Sequence, residues 1–352
     1  MPKKVTLADL SRETGLSQAT ISMILARRPD VSFSESTIDL VRSKAQALGY
    51  TPALRRASAL FGHKTIIVIC PFVLNHYYSA VVQSLQAAAA GLEYNVLVCA
   101  TYNSAPEEAR LLRMVAGSEI GGLIFVMMPH SISLLRKLCR LMPVVVLADR
   151  DGESPASIME LHNYEAGKII ATHLAKLGHR NIICISTPLS SSVPARVKRY
   201  EGLKDSWQKL CPEGHIQLFT DFASPSMLRD NIQLERYIGQ ETARLALEQD
   251  AHNSTAFVAL NDMLAYGVMD LLTSLGKKIP DDYSICGCDN DFPSDLPGVR
   301  LTSVEHFMAK NAREAFNLLH RKIAGEKSPE IFPVRKIQPE LVLRESTSRP
   351  AH

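Results

Sequence analysis

The chain has 352 residues, 46% apolar and 21% charged, with a formal net charge of +3. That is enough to bury a core in more than one domain. No run of about 18 apolar residues occurs, so no membrane span is expected. Lys3-Lys4 is followed by no apolar core, so no secretory signal is read and a cytoplasmic, nucleoid-associated location is expected.

Residues 5–25 read as two short helices joined at Gly15. Thr6 is placed to cap the first, with Asp9 completing a capping box, and Leu7 and Leu10 supply its buried face. Gly15 can turn the chain sharply, and Ser17 can cap the second helix. On that helix Ile21, Ile24 and Leu25 fall on the inner face, and Gln18, Ala19, Ser22 and Met23 on the outer one. Small and polar residues at the start of a short second helix suit the major groove: a helix-turn-helix DNA reader. Two helices around a glycine are also common in all-α domains. A third helical segment follows, with Ser34 as cap, Ile38, Val41, Ala45 and Leu48 on one face, and Gly49 as stop. Residues 1–62 hold nine Lys/Arg and five Asp/Glu, a net +4, which leaves the other 290 residues at −1. Positive charge therefore gathers where phosphates would be met.

From residue 64 apolar strands alternate with amphipathic helices. Strands are predicted at Ile66–Cys70, Asn95–Ala100, Gly122–Met127 and Pro143–Ala148 for a first parallel sheet. Asn181–Ser186, His215–Phe219, Thr255–Leu260 and Tyr283–Gly287 are predicted for a second, with helices between, including Tyr78–Leu92, Glu107–Val115 and Asn163–Leu177. Continuous apolar runs suit strands covered on both faces. Two such units make a two-lobed α/β body with a cleft at the carboxyl ends of the strands. Cys70, Cys99, Cys184 and Cys286, four of seven cysteines, sit inside these runs as expected of buried free thiols. Cys286 and Cys288 lack a second close Cys/His pair, so no metal site is expected.

Loops after strands should line the cleft. They carry Asn75-His76-Tyr77-Tyr78, Asp149-Arg150, Asn261-Asp262 and Asp289, with Arg199 opening the helical region of the second lobe. Guanidinium, amide and carboxylate groups beside aromatic rings fit a polyol or base. Plainer readings compete: Asp262 as the cap of a helix over Met263–Leu275, which is the favoured role for that residue, Arg199 as a surface charge, Tyr77 and Tyr78 as core packing.

The sequence resembles the LacI/GalR (lactose and galactose repressor) family of bacterial transcription regulators. The resemblance runs from Val5 to about Ser346. It rests on Val5-Thr6-Leu7-Ala8-Asp9-Leu10, Gly15-Leu16-Ser17, Thr20-Ile21-Ser22, Leu48-Gly49-Tyr50-Thr51-Pro52, Val146-Leu147-Ala148-Asp149-Arg150, Leu177-Gly178-His179-Arg180, Arg199-Tyr200-Glu201-Gly202, Asn261-Asp262, Gly287-Cys288-Asp289-Asn290 and Pro339-Glu340-Leu341-Val342-Leu343-Arg344-Glu345. Each fragment is weak alone; their order and spacing together are specific. The resemblance implies a helix-turn-helix domain over 1–50, a hinge over 51–63 and an effector-binding and dimerisation domain over 64–346. It further implies three crossings between lobes, the last two near His306 and Lys327, giving lobe one as about 64–160 with 306–326 and lobe two as about 161–305 with 327–346.

Residues implied to meet DNA are Thr6, Ser17, Gln18, Ala19, Thr20, Ser22, Met23, Arg27 and Tyr50, with Arg55, Arg56 and either Ala59 or Leu60 from the hinge. Relatives' Arg is Met23 here, which gives up a fork onto guanine. Their hinge Leu is Ala59, with Leu60 one place on, so the residue that wedges a minor-groove step stays open. Tyr77, Tyr78, Arg150, Arg199, Asn261 and Asp289 are implied to bind the effector. His162-Asn163 stands where relatives have Asp-Asn.

The expected function is a ligand-responsive repressor of sugar or nucleoside genes. It would bind a palindromic operator as a homodimer and need no cofactor beyond a small effector: a sugar, phosphosugar, nucleoside or base. No heptad follows Leu343, so no tetramer helix is expected. A solute-binding protein of the same fold is disfavoured by the basic N-terminal helices. An enzyme is disfavoured by the lack of a phosphate-binding glycine fingerprint, a nucleophile elbow or a triad.

Overall fold

The computed structural model describes residues 5–25, 33–48, 50, 62–149, 154–190, 193–221, 231, 233–326 and 337–351. They fall into two compact units. Arg27, Gly49, Arg55, Arg56, Ala59, Leu60, Arg150 and the third crossing near Lys327 lie outside the described residues.

The N-terminal unit is three helices. At α1 (Leu7–Thr14) the Thr6 hydroxyl accepts from the Asp9 N–H at 3.3 Å and Asp9 Oδ2 accepts from the Thr6 N–H at 2.9 Å, a complete capping box. Gly15 turns the chain at φ +70. The Ser17 hydroxyl then accepts from the Thr20 N–H at 3.1 Å to start α2 (Gln18–Leu25). Ser34 does the same for the Thr37 N–H at 3.3 Å ahead of α3 (Glu35–Ala47). Leu10, Ile21, Ile24, Val41 and Ala45 form the core, with Tyr50 packed against it. Leu48, expected on the inner face of α3, is exposed. The helix ends at Ala47, so the 3.6-residue period no longer directs it inward.

The second unit holds two sheets. β1 (Thr65–Cys70), β2 (Asn95–Ala100), β3 (Gly122–Phe125), β4 (Val144–Leu147) and β5 (Ser157–Met159) form one in the order β2-β1-β3-β4-β5, all parallel. β6 (Asn181–Ser186), β7 (His215–Thr220), β8 (Ala256–Ala259), β9 (Ser284–Cys288), β10 (Thr302–Glu305) and β11 (Glu340–Val342) form the other in the order β11-β10-β9-β8-β6-β7. Eight strands are those predicted. β5, β10 and β11 are additional, and β11 runs antiparallel to β10, so the second sheet is mixed.

Helices cover both faces: α4 (His76–Ala90), α5 (Ala105–Val115), α6 (Ile132–Cys139), α7 (Asn163–Leu177), α8 (Pro194–Leu210), α9 (Leu234–Gln249), α10 (Asp262–Ser274) and α11 (Met308–Ile323). α11 follows β10 of the second sheet, yet its Ala312, Ala315, Phe316 and Leu319 pack into the core of the first. The chain then returns to the second sheet as β11.

α7 and α8 touch through glycine. A Cβ on Gly167 would lie 1.9 Å from the Arg199 carbonyl oxygen, and one on Gly202 would lie 1.9 Å from that of Tyr164. Only glycine permits this approach, and it brings Arg199 on α8 beside Asn163 at the start of α7. The C-terminal segment is fastened to the same lobe. Buried His179 sits 2.7 Å from the Thr255 hydroxyl, 3.1 Å from that of Ser284 and 3.0 Å from the Ser348 carbonyl. Burial lowers its pKa.

Candidate functional site

In both sheets the connections leave β1 and β6 in opposite directions, and the carboxyl ends at that reversal are where α/β proteins bind ligands. A cavity of about 290 Å³ lies there between the lobes. Lobe one supplies Tyr77 and Tyr78 from the first turn of α4, where the Asn75 side chain accepts the Tyr77 N–H at 3.0 Å as the helix cap. The two rings meet edge to face at 5.0 Å and pack on the lobe-one core, so they serve core and cavity at once. Burial raises the pKa of both hydroxyls, so both stay protonated.

Lobe two supplies paired charges. Arg199 is buried, not a surface charge. Its Nε donates to Asn163 Oδ1 at 2.6 Å, one terminal nitrogen to the Leu260 carbonyl at 2.7 Å, and the other to Asp289 Oδ1 at 2.8 Å. Burial pushes the Asp289 carboxyl upward, and the guanidinium 2.8 Å away pulls it back. Burial also opposes the charge on Arg199, but Asp289 and its neighbours more than offset it, so the guanidinium keeps its proton. Asp289 holds φ +123, a region side chains avoid, and its N–H is tied to the Val304 carbonyl at 3.0 Å. Such strain persists where surroundings fix it, commonly at ligand sites.

A second pair stands beside the first. Arg196, one turn before Arg199, donates to Glu235 and to the Thr187 hydroxyl. Burial acts against the Glu235 carboxylate, but Arg196 and Asn261 hold it below the usual carboxylate range. Asn261 donates to Glu235 at 2.7 Å and accepts the Leu264 N–H at 2.9 Å. Asn261, not Asp262, therefore caps α10. Asp262 is the first helical residue, and its carboxylate takes the Ser303 and Ser294 hydroxyls and the Asp291 N–H instead. The cap falls one residue earlier than expected because Asn261 is the residue with extended backbone, φ −155, ψ 168.

Among the described residues, two of the crossovers between the lobes are of similar design. His162, φ +55, precedes α7 and Phe307, φ +52, precedes α11. At the first crossover, Asp149 at the end of β4 accepts the Leu161 and Asn163 N–H groups, each at 2.9 Å. Asp149 thus takes the N–H of the first residue of α7, where the His162 side chain makes no capping bond. At the second, buried His306 lies 3.3 Å from Arg199 through Nε2 and 3.3 Å from the Leu161 carbonyl through Nδ1. Burial and the Arg199 charge push its pKa down to about 3, so it is neutral. The arginine donates to Nε2, which places the ring proton on Nδ1 toward Leu161.

The structure thus brings Tyr77, Tyr78, Arg199, Asn261 and Asp289 to one cavity. Asp149, expected among the cleft loops, does line the cavity, whereas the sequence reading missed Arg196, Glu235, Asn163 and His306 as site residues. Cys288, Asp289 and His306 bring three ligand atoms within 4.8 Å of one another. The Arg199 guanidinium already occupies Asp289 and His306, so a metal cation does not fit there.

In the N-terminal unit Thr6, Ser17, Gln18 and Ala19 are exposed, while Thr20, Ser22 and Met23 are half-buried. Ser17, Gln18 and Ala19 lie together at the start of α2. Tyr50 donates its N–H to the Ala45 carbonyl at 2.7 Å and is half-buried against the three helices.

Residues 171–347 match the periplasmic binding protein-like domain. The chain is 26% identical over 351 residues to the HTH-type transcriptional regulator DegA of Bacillus subtilis (strain 168), covering 98% of each protein. It is likewise 26% identical to the HTH-type transcriptional repressor PurR of Histophilus somni (strain 129Pt), covering 97% of this chain and 98% of that one. The fold matches a LacI family regulator from Enterococcus faecium, solved with bound ribose, at a TM-score of 0.66 and 22% identity, over 81% of this chain and 99% of that one. Among the described residues no helix is long and apolar enough to cross a membrane. The match covers half the chain and a helix-turn-helix precedes it: the protein belongs to the periplasmic binding protein-like family, as a transcriptional regulator of the LacI/GalR type.

Proposed function

We propose that the protein is a repressor that binds a palindromic operator as a homodimer in the bacterial cytoplasm and changes its grip when a neutral polyhydroxylated molecule, a sugar in the first place, enters the cavity. The observation that carries this reading is the Arg199–Asp289 pair at the cavity wall, opposite Tyr77 and Tyr78. Hydrogen-bonding groups facing aromatic rings suit a ring that carries hydroxyls. Charge narrows the class. Among the described residues each cavity arginine has its own carboxylate, Arg196 with Glu235 and Arg199 with Asp289. A phosphate would find both of these described cations already spoken for, which supports a neutral sugar over a phosphosugar. Bound ribose in the Enterococcus faecium relative supports the same class.

The homodimer is supported by an open groove lined by Val73, Leu74, Met263, Met269 and Val299, with exposed Phe292 beside it. Apolar surface of this kind marks protein contact. On DNA, Gln18, Ala19 and Met23 are proposed to read base edges, with Thr6, Ser17, Thr20, Ser22, Arg27 and Tyr50 on phosphates. Arg55, Arg56 and Leu60 or Ala59 would enter the minor groove. A thermal-shift screen of neutral sugars, phosphosugars and nucleosides, followed by operator titration with each hit, tests the reading. A neutral sugar should raise the melting temperature and change operator affinity. Binding of phosphosugars alone would overturn the assignment of class.

A further inference from the structure

In the second lobe Asn163, and not Arg199 alone, is placed to meet the ligand. Arg199 directs three nitrogens to Asn163, Leu260 and Asp289 and lies against His306, all within the protein. Four of its five N–H groups are thereby committed. The consequence falls on Asn163. A guanidinium only donates, so the Asn163 amide must turn its oxygen to Arg199 and its nitrogen away. That nitrogen, Nδ2, is buried and among the described residues has no hydrogen-bond partner, and Asn163 forms part of the cavity wall. An amide N–H₂ buried without an acceptor is costly and rare. Asp289 has the complementary opening. Its Oδ1 takes Arg199, and among the described residues Oδ2 takes no hydrogen bond.

We infer that Asn163 Nδ2 and Asp289 Oδ2 together read one hydroxyl of the effector, which accepts from the amide and donates to the carboxylate, with Arg199 as the positioning residue that aims both. This deepens the sugar reading above and rests on it. The pair is selective by chemistry. A hydroxyl both donates and accepts. A ketone or phosphate oxygen only accepts and would face the carboxylate unpaired, an ammonium only donates, and a deoxy carbon does neither. The site is also placed to report. Asn163 is the first residue of α7, and its own N–H is held by Asp149 at the end of lobe-one β4, 2.9 Å away. A ligand bonded to Asn163 therefore acts on the crossover itself.

The test uses the full chain, with D-ribose, D-xylose, D-glucose and cellobiose as first probes in calorimetry. The tightest binder is then followed by its monodeoxy analogues. Asn163→Asp keeps an acceptor for Arg199 and removes the donor. It should weaken the sugar about tenfold or more. One deoxy analogue should lose about as much on the wild type and lose nothing further on Asn163→Asp. Equal affinity of wild type and Asn163→Asp, with the sugar bound, would overturn the hydroxyl assignment alone. Failure of the wild type to bind any of the four sugars would overturn the sugar reading, and this inference with it. Should Asn163→Asp not fold, the deoxy series on the wild type decides, because unchanged affinity across it excludes a hydroxyl read by this pair.

Discussion

His306 and Arg199 meet at 3.3 Å, and through that contact the cavity wall touches two of the crossovers at once. The imidazole stands on the second crossover, and its other nitrogen reaches the Leu161 carbonyl on the first. Any shift of Arg199 or Asp289 on ligand binding would thus reach two of the segments that join the lobes. Coupling of this kind needs two arrangements that the ligand distinguishes. His306→Gln keeps an amide that can donate and accept in the same places; His306→Ala does not. We expect His306→Ala to lose most of the effector-dependent change in operator affinity, which for a coupling of roughly 1–3 kcal/mol is about 5–150-fold. His306→Gln should keep much of it. Operator titrations with and without effector check this, and an unchanged response in His306→Ala would remove the residue from the route.

Arg199 invites a different prediction, because its removal leaves Asp289 buried without its cation. Breaking a buried pair from one side costs about 3–5 kcal/mol, whereas replacing both partners by apolar groups can be neutral. Arg199→Ala should lose effector binding and also melt well below the wild type. The double variant Arg199→Met, Asp289→Leu should recover much of the melting temperature and none of the binding. Equal melting of the single and double variants would show that the pair's charge balance does not hold the site together.

Some of this was legible in the residues and some was not. Eight strands declared themselves through apolar runs of four to seven residues. β5 and β11 are three residues long with no such run, and only pairing to β4 and β10 makes them strands. Arg199 and Asp289 stood out because their neighbours matched a family pattern. Arg196 and Glu235 are 39 residues apart and His306 lies 145 residues from Leu161, so their roles exist only once the sheets have formed. Asn261 and Asp262 are both good capping residues, and local preference could not choose between them. The Asn163 amide carried no signal in sequence, since its orientation follows from the guanidinium beside it.

On the DNA side the exposed start of α2 makes one claim that can be read base by base. Gln18 is exposed one residue after the Ser17 cap, where a side-chain amide can take a bidentate pair on adenine. Gln18→Ala should cost roughly 1–3 kcal/mol on the preferred operator and relax preference at one position per half-site. Selection from randomised DNA gives the comparison, and an identical preferred sequence for both proteins would place Gln18 off the bases.

Asp291 supplies the pH prediction. Its N–H donates to Asp262 Oδ2 at 2.8 Å, and its side chain is buried. Burial, with Asp289 and Asp262 close by, pushes its carboxyl up to about 9. In the unfolded chain an aspartate titrates near 3.9. The folded state therefore binds a proton that the unfolded state has released, so stability from this group is full below about pH 4 and declines as pH rises toward 9. Asparagine keeps the shape without the titration. Asp291→Asn should melt progressively above the wild type from pH 6 to pH 9, by an amount corresponding to roughly 1–3 kcal/mol at the alkaline end. Its advantage should shrink again as the pH is lowered. Thermal melts of both proteins across that range decide the matter, and a gap that does not widen with pH would mean that Asp291 is already ionised in the folded protein.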